Sequence, residues 1–228
     1  MLMSIWARIR DAIGALAEGE PLSAVFGRLT TPPELSAAFA IAVIALGAKM
    51  AKADGQVTRD EVAAFRQVFH IPREDEANAA RIYNMARTEV AGFDSYAAQV
   101  ARMFRRRPKV LADLLEGLVF IAAADGEFHP HEAEFLDVVA GIFGVDKVAF
   151  RAIRARHLPG ERDPWAVLGL APGTGAGVVR KRYRKLVREL HPDRMIARGV
   201  PKEARRMAEQ RLATVTAAYA EIVREQKV

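Results

Sequence analysis

The chain has 228 residues, 51% of them apolar, which is enough to bury a core in one large or two ordinary domains. It contains no cysteine, which excludes disulfides, zinc ribbons and cysteine nucleophiles and fits a reducing compartment. The net charge of +6 is concentrated in residues 161–228, where 15 Lys+Arg stand against 8 Asp+Glu; this basic module is suited to nucleic acid, anionic lipid or an acidic protein.

The first predicted element is a short amphipathic helix over Ser4–Ala17, in which Ile5, Ile9 and Ile13 recur at helical spacing beside Trp6. We expect this helix to dock on the main domain. The alternative is that its tryptophan and basic residues lie at a membrane interface. The segment carries no secretory signal and is too short and too charged to span a bilayer. We therefore expect a cytoplasmic protein, with peripheral contact to the inner membrane as the alternative.

The next two segments differ sharply in composition. Gly19–Pro33 is rich in glycine, proline, serine and threonine and is predicted to be a linker, so that residues 1–33 form an N-terminal helix and linker. Leu35–Ala48 is free of charge, but its 14 residues fall short of the roughly 20 that cross a membrane, and we interpret it as a buried helix. The periodicity stays helical to about His157 without an alternating strand, which predicts an all-α fold.

An internal repeat lies in this helical region, at an offset of 71 residues. Ala53-Asp54-Gly55 matches Ala124-Asp125-Gly126, and Glu61 matches Glu132. Each copy predicts an apolar helix, an Asp-Gly turn and a second amphipathic helix. The repeat indicates two helix-turn-helix units related by pseudo-symmetry.

The repeat supplies the candidate metal ligands Asp54, Glu61, Asp125 and Glu132. If pseudo-symmetry brings the four carboxylates together, they need a cation to stay ionised, and oxygen ligands suit Ca²⁺ or Mg²⁺. The alternative is purely structural, because Asp-Gly is an ordinary turn pair and a glutamate in the first turn caps a helix.

Residues 34–158, with these paired Asp-Gly turns and following glutamates, resemble the TerB-like domain, an all-α module named after tellurite-resistance proteins. The resemblance implies a helical bundle with an internal pseudo-repeat. It also implies divalent metal binding, because the acidic residues of that family have been linked to it. A divalent cation in this domain is the one cofactor that the sequence suggests.

The C-terminal module begins after a boundary at Leu158–Arg162. Its first element is a helix of one and a half turns, capped by Asp163, with Pro164 at the first helical position and Gly169 near its end. Ala171–Gly177 is predicted to be a loop.

A basic amphipathic helix follows over Arg180–Leu190. Proline lacks the donor that a helix needs, so the helix should end before His191-Pro192-Asp193 and leave the histidine and aspartate in a loop that continues to Gly199. A long helix at Lys202–Arg224 is predicted to return antiparallel and to pack on the apolar face of the basic helix.

Residues 162–228 resemble a J-domain, the module that defines DnaJ (Hsp40) co-chaperones. The resemblance rests on Leu-Gly-Leu in the short helix, Tyr-Arg-Lys-Leu in the basic helix, His-Pro-Asp-Arg after it and Ala-Tyr-Ala-Glu-Ile in the returning helix. It implies a partner of the DnaK/Hsp70 type whose ATPase the module stimulates. The residues that would bind this partner are His191, Pro192, Asp193, Lys181, Arg182, Arg184, Lys185 and Arg188.

The order of the two modules is similar to that of the DjlA group, which joins a TerB-like domain to a C-terminal J-domain. It implies a co-chaperone, not an enzyme, whose TerB-like domain recruits an unknown client protein or senses a metal. The alternative is a metal, tellurite or envelope-stress scaffold that binds divalent cations. Nucleic-acid binding is disfavoured, because the basic module lacks interleaved exposed aromatic residues.

Overall fold

The computed structural model describes residues 5–14, 20–22, 24–25, 29, 34–54, 71–88, 92–124 and 128–226. These residues are helical or in turns, without a strand, and the prediction of an all-α fold is confirmed. The described α-helices, in chain order, are α1 (Ile5–Gly14), α2 (Glu34–Asp54), α3 (Glu76–Thr88), α4 (Phe93–Met103), α5 (Pro108–Ala122), α6 (Pro130–Phe143), α7 (Lys147–His157), α8 (Pro164–Leu168), α9 (Ala176–Glu189), α10 (Pro192–Arg198) and α11 (Arg205–Glu225). Short 3-10 turns at Arg73–Asp75, Pro159–Glu161 and Lys202–Ala204 precede α3, α8 and α11.

The helix α2 is the centre of the main core. Every residue of the segment 37–46 is at most 3% exposed, so the helix is covered on all sides. A helix that is apolar all round needs neighbours all round, and α2 packs against α1, α3, α4, α5 and α6. The prediction of a buried helix in this segment is confirmed.

The N-terminal helix α1 packs on this core with its apolar face, which comprises Ile5, Trp6, Ile9 and Ile13. Trp6 is 1% exposed and is therefore covered by the domain. The docking interpretation of this helix is confirmed, and Trp6 does not lie on a surface that could meet a membrane. Within the described ranges, no helix is long and apolar enough to cross a bilayer.

The segment Gly19–Pro33 requires a correction, because its described part is not a free linker. Leu22, Val25 and Leu29 are at most 4% exposed and belong to the main core. The glycine, proline and threonine residues of the segment obscured these three apolar residues, which follow one another at spacings of three and four. These three residues therefore belong to the folded domain.

The helices α6 and α7 both begin with a carboxylate that accepts from a backbone N–H. Pro130 is the first residue of α6, and the backbone N–H of His129 donates to the Glu132 carboxylate at 2.9 Å. In α7 the Asp146 carboxylate accepts from the backbone N–H of Ala149 at 2.8 Å. These contacts satisfy backbone donors at the helix starts, and α7 packs against α5.

The C-terminal part, residues 162–226, is built on a hairpin of α9 and α11 closed by α8. Its apolar residues and Ala155 of α7 form a second core. The residues that the C-terminal part supplies to it are Ala166, Val167, Leu168, Val179, Leu186, Leu190, Val215, Ala218 and Ile222. Tyr183 and Tyr219 stack across the hairpin with ring centroids 4.1 Å apart and planes 5° from parallel. The predicted antiparallel packing of the basic helix on the returning helix is confirmed.

The segment after the basic helix also requires a correction. A loop was expected from His191 to Gly199, but Pro192 begins the helix α10 and His191 is its N-cap. A proline stops the helix that precedes it, yet at the first helical position its missing N–H costs nothing and its fixed φ favours a new helix. Gly199 ends α10 with a left-handed φ of 109°, a conformation that other residues rarely adopt.

The two cores are not separate, because the C-terminal part contributes to both. Met195, Val200, Ala204, Met207 and Ala208 are at most 2% exposed and belong to the main core. The long helix α11 thus packs on the N-terminal part with its first turns and on α8 and α9 farther along. The sequence boundary at Leu158–Arg162 is therefore a tight connection between parts that share a core.

Candidate functional site

The basic helix α9 presents a continuous charged surface. Its apolar stripe is buried in the hairpin, and four of the five basic residues predicted to bind a partner are exposed on the other side. These four residues are Lys181, Arg184, Lys185 and Arg188. Glu189 is the one acidic residue of α9, all of which the structure describes. The surface is therefore strongly positive and suited to an acidic partner.

Arg182 is the exception among the five basic residues. Its Nε donates to the carbonyl oxygen of Leu168 at 2.7 Å, at the end of α8. Burial is the largest influence on this guanidinium and lowers the pKa of Arg182, against the opposing charge of Glu189. The side chain is half-buried and ties α9 to α8, so its first role is structural.

The tripeptide His191-Pro192-Asp193 lies where α9 ends and α10 begins. The His191 Nδ1 accepts from the backbone N–H of Asp193 at 3.3 Å, and the Asp193 carboxylate lies 3.7 Å from the same nitrogen. The Pro192 ring is buried, while the His191 and Asp193 side chains are 52% and 74% exposed. A buried proline therefore anchors a turn that presents an imidazole and a carboxylate to solvent.

Arg198 clamps this turn from the other end of α10. One guanidinium nitrogen donates to the carbonyl oxygen of Glu189 at 2.7 Å, at the end of α9. The other donates to the carboxylate of Asp113, on α5, at 2.7 Å. The side chain thus fixes the angle between α9 and α10 and joins the turn to the N-terminal part.

A buried ion cluster continues from Asp113 along α5. The Arg211 guanidinium donates to Asp113 at 3.0 Å and forms a second ion pair with Glu116. Glu116 also accepts two hydrogen bonds of 2.7 Å from Arg156 and one of 2.9 Å from Nε2 of His157. Three helices, α5, α7 and α11, therefore meet at one fully buried carboxylate.

The pKa values in the cluster show which charges it holds. Burial alone would raise the pKa of Glu116, but Arg156 and Arg211 together with hydrogen bonds from His157 and Arg156 lower it well below its ordinary range. Burial lowers the pKa of His157, more than the Glu116 carboxylate raises it. The histidine is therefore neutral near pH 7 and donates an ordinary hydrogen bond. The Glu116 and Asp113 charges outweigh burial for Arg211 and raise its pKa.

Sequence reasoning missed this cluster, although a signal was present. Asp113 and Glu116 interrupt the apolar run Val110–Ala122 at a spacing of three residues, which places both carboxylates on one face of an otherwise buried helix. Carboxylates are almost never fully buried unless they are paired. The position of their arginine partners, about 40 to 100 residues away in the chain, depends on the tertiary fold.

The candidate metal ligands are only partly within the described structure. Glu61, Asp125 and the side chain of Asp54 lie outside the described residues. Glu132 is 3% exposed and its carboxylate accepts from the backbone N–H of His129, as a helix cap does. Among the described residues, no group of three or more histidine, aspartate or glutamate side chains is arranged to hold a metal ion. The metal site stays a prediction.

Comparison with known proteins identifies relatives over both parts of the chain. The model of the family described as tellurite resistance protein TerB matches residues 40–155. The co-chaperone protein DjlA of Haemophilus ducreyi is 27% identical over 252 residues, covering 91% of this chain and 87% of that protein. The Escherichia coli K12 protein of the same name is 28% identical over 207 residues, covering 78% and 75%.

The DjlA co-chaperone of Salmonella typhimurium is 32% identical over 136 residues, which cover half of each chain. No solved structure is significantly similar to the chain. The family model spans more than half of the 228 residues, and the DjlA proteins match well beyond it into the C-terminal part. The chain therefore belongs to the TerB family and is a DjlA-like protein.

Proposed function

We propose that the chain is a co-chaperone that stimulates the ATPase of a DnaK/Hsp70-type chaperone. The observation that carries the proposal is the exposed pair His191 and Asp193, held by a buried proline at the end of an exposed basic helix. The similar proteins named co-chaperone DjlA support the same role. The C-terminal part acts as a J-domain, and the partner hydrolyses the ATP.

The basic face of α9 supplies the first step, which is encounter. Lys181, Arg184, Lys185 and Arg188 attract an acidic surface of the chaperone and orient it along the helix. Attraction between exposed charges is screened by salt, with a Debye length of about 8 Å at physiological ionic strength. The rate of association should therefore fall as the salt concentration rises.

The turn at His191-Pro192-Asp193 supplies the second step. A ligand shifts a conformational equilibrium only by binding one state more tightly than the other. The His191 imidazole accepts a hydrogen bond of 3.3 Å from the backbone N–H of Asp193, and the Asp193 carboxylate lies 3.7 Å from the imidazole. These contacts are long, so both side chains remain available to the partner. We propose that they bind more tightly to the chaperone conformation that hydrolyses ATP.

The N-terminal part has the further role of holding this turn in place. Arg198 and Arg211 connect the C-terminal part to Asp113 on α5, and the main core includes residues from both parts. A client or a metal bound by the N-terminal part would thus act at a fixed distance from the turn. Which of these two it binds stays a prediction.

The proposal is tested by single-turnover ATP hydrolysis in a purified DnaK-type chaperone, with and without the full chain. The Asp193→Asn variant keeps the shape of an exposed side chain but removes its charge, so its fold should be unchanged. We expect the wild-type chain to accelerate hydrolysis. The acceleration by the variant should be at least about tenfold smaller, because a charged group that binds the partner is lost. Equal stimulation by both chains would contradict the proposal.

A further inference from the structure

We propose that the N-terminal part carries a second contact for the same chaperone, formed by Arg105 and Arg106 in the turn between α4 and α5. This inference rests on the proposed function and assigns part of the chaperone contact to the TerB domain. The two arginines extend the positive surface of α9 past His191-Pro192-Asp193, toward an acidic region of the chaperone.

The turn is anchored in the core by Phe104, and its two arginines are exposed to solvent. Phe104 is fully buried beneath it, and the carbonyl oxygen of Phe104 accepts from the backbone N–H of Arg107 at 2.7 Å. Arg105 and Arg106 are exposed, and Pro108 then begins α5. The segment 102–112 contains five basic residues and no acid, so the local charge is strongly positive.

Two contacts place this turn beside the candidate site. One guanidinium nitrogen of Arg107 donates to the carbonyl oxygen of Arg198 at 3.0 Å, at the end of α10. The Lys109 ammonium donates to the Glu189 carboxylate at 2.7 Å, at the end of α9. Glu189 precedes His191 by two residues, a backbone span of at most about 7 Å.

Neighbouring acids do not neutralise the two arginines. Glu189 is the acid that the turn reaches, and its carboxylate is bound by Lys109. Burial would raise the pKa of Glu189, but the hydrogen bond and charge of Lys109, together with the charges of Lys185 and Arg182, lower this pKa. The carboxylate is therefore ionised, and its hydrogen bond goes to Lys109. Within the described ranges, neither Arg105 nor Arg106 forms an ion pair. Two adjacent exposed guanidiniums therefore remain free to bind carboxylates in a partner.

The shared core keeps the turn at Arg105 and Arg106 at a fixed position relative to α9. A J-domain on a flexible linker would carry its basic helix away from the turn, whereas here Asp113 and Glu116 bind Arg198 and Arg211 and keep both parts in one body. A standard protein interface covers about 800 Å² on each partner, a patch roughly 30 Å across. A chaperone seated on α9 and His191 therefore also meets the turn.

The experiment is a titration of the ATPase of a DnaK-type chaperone with the full chain at several salt concentrations. The test variant is Arg105→Glu/Arg106→Glu. The matched control is Arg81→Glu/Arg87→Glu, which makes the same change of charge on exposed residues of α3, a helix that packs against α1 and α2. Far-UV circular dichroism establishes that both variants are folded.

For the test variant we expect the concentration for half-maximal stimulation to rise about tenfold at low salt, as reversal of two exposed charges allows. The maximal stimulation of ATP hydrolysis should be unchanged, because His191, Pro192 and Asp193 are intact. The difference from the wild-type chain should shrink as salt is added. The control variant should shift the midpoint by less than about twofold.

The outcomes separate this inference from the proposed function. If the wild-type chain stimulates hydrolysis and Arg105→Glu/Arg106→Glu has the wild-type midpoint, the second contact is wrong and the proposed function stands. An equal shift in the control variant also overturns it, because the effect would then come from net charge alone. If the wild-type chain does not stimulate at all, the proposed function and the second contact fail together.

Discussion

The Arg211 guanidinium lies 3.0 Å from the Asp113 carboxylate, and both side chains are at most 4% exposed. Asp113 belongs to α5, in the part matched by the TerB family, whereas Arg211 belongs to α11 of the C-terminal hairpin. A buried ion pair between two parts of a chain breaks when the parts separate or when either part unfolds. The hairpin is therefore held to the N-terminal part by charge as well as by apolar packing.

The first prediction concerns the carboxylate at the centre of this cluster. Glu116→Gln leaves the shape of the side chain but removes the charge that Arg156 and Arg211 neutralise. Breaking a buried ion pair on one side leaves an uncompensated charge, and we expect the free energy of unfolding to fall by about 3–5 kcal/mol. Urea denaturation followed by circular dichroism measures the change. A matched variant at an exposed pair, Glu209→Gln, should cost less than about 1 kcal/mol.

The second prediction concerns cooperativity. Trp6 is buried in the main core and Trp165 packs against the second core, so each tryptophan reports on one part. In the variants Trp6→Phe and Trp165→Phe, fluorescence should follow the same urea transition as far-UV circular dichroism of that variant, because the parts share a core. A fluorescence midpoint that departs from the circular dichroism midpoint would show that the parts unfold separately.

The third prediction concerns pH. The folded chain holds the pKa of His157 below its ordinary value, so the unfolded chain binds more protons as the pH falls from about 7.5 to 5.5. Stability should therefore fall on acidification, by at most about 1.4 kcal/mol per pH unit, the limit for one proton. Glu116 has a lowered pKa, and its contribution is lost only at lower pH, below the ordinary carboxyl range.

The variant His157→Gln tests this assignment, because its amide can still donate to Glu116 but does not titrate. Free energies of unfolding are compared at pH 7.5 and 5.5 for both chains. We expect the loss of stability on acidification to be smaller in the variant. An identical loss in both chains would mean that other groups are responsible.

The elements that rest on local patterns were predictable from the sequence. A charge-free run predicted α2, the spacing of apolar residues predicted α9 and α11, and Asp163 with Pro164 predicted the start of α8. The apolar faces of α9 and α11 were long enough to predict their pairing. The exposure of the charged face of α9 follows from that pairing, because the opposite face is buried.

The features that the sequence did not predict depend on contacts between distant residues. Pro192 could end one helix or begin another, and the structure shows that it does both, with His191 as the cap. The buried carboxylates Asp113 and Glu116 carried a detectable signal, but their arginine partners lie on helices whose mutual packing no local pattern fixes. The place of Arg105 and Arg106 beside the candidate site follows from the same packing.

The most direct test of the central claim compares His191→Gln with His129→Gln in the single-turnover ATPase assay with a DnaK-type chaperone. Both histidines are exposed N-cap residues that precede a proline at the first helical position, but only His191 follows the basic helix. We predict that the wild-type chain and His129→Gln accelerate hydrolysis equally and that His191→Gln does not accelerate it. Wild-type acceleration by His191→Gln would contradict the account.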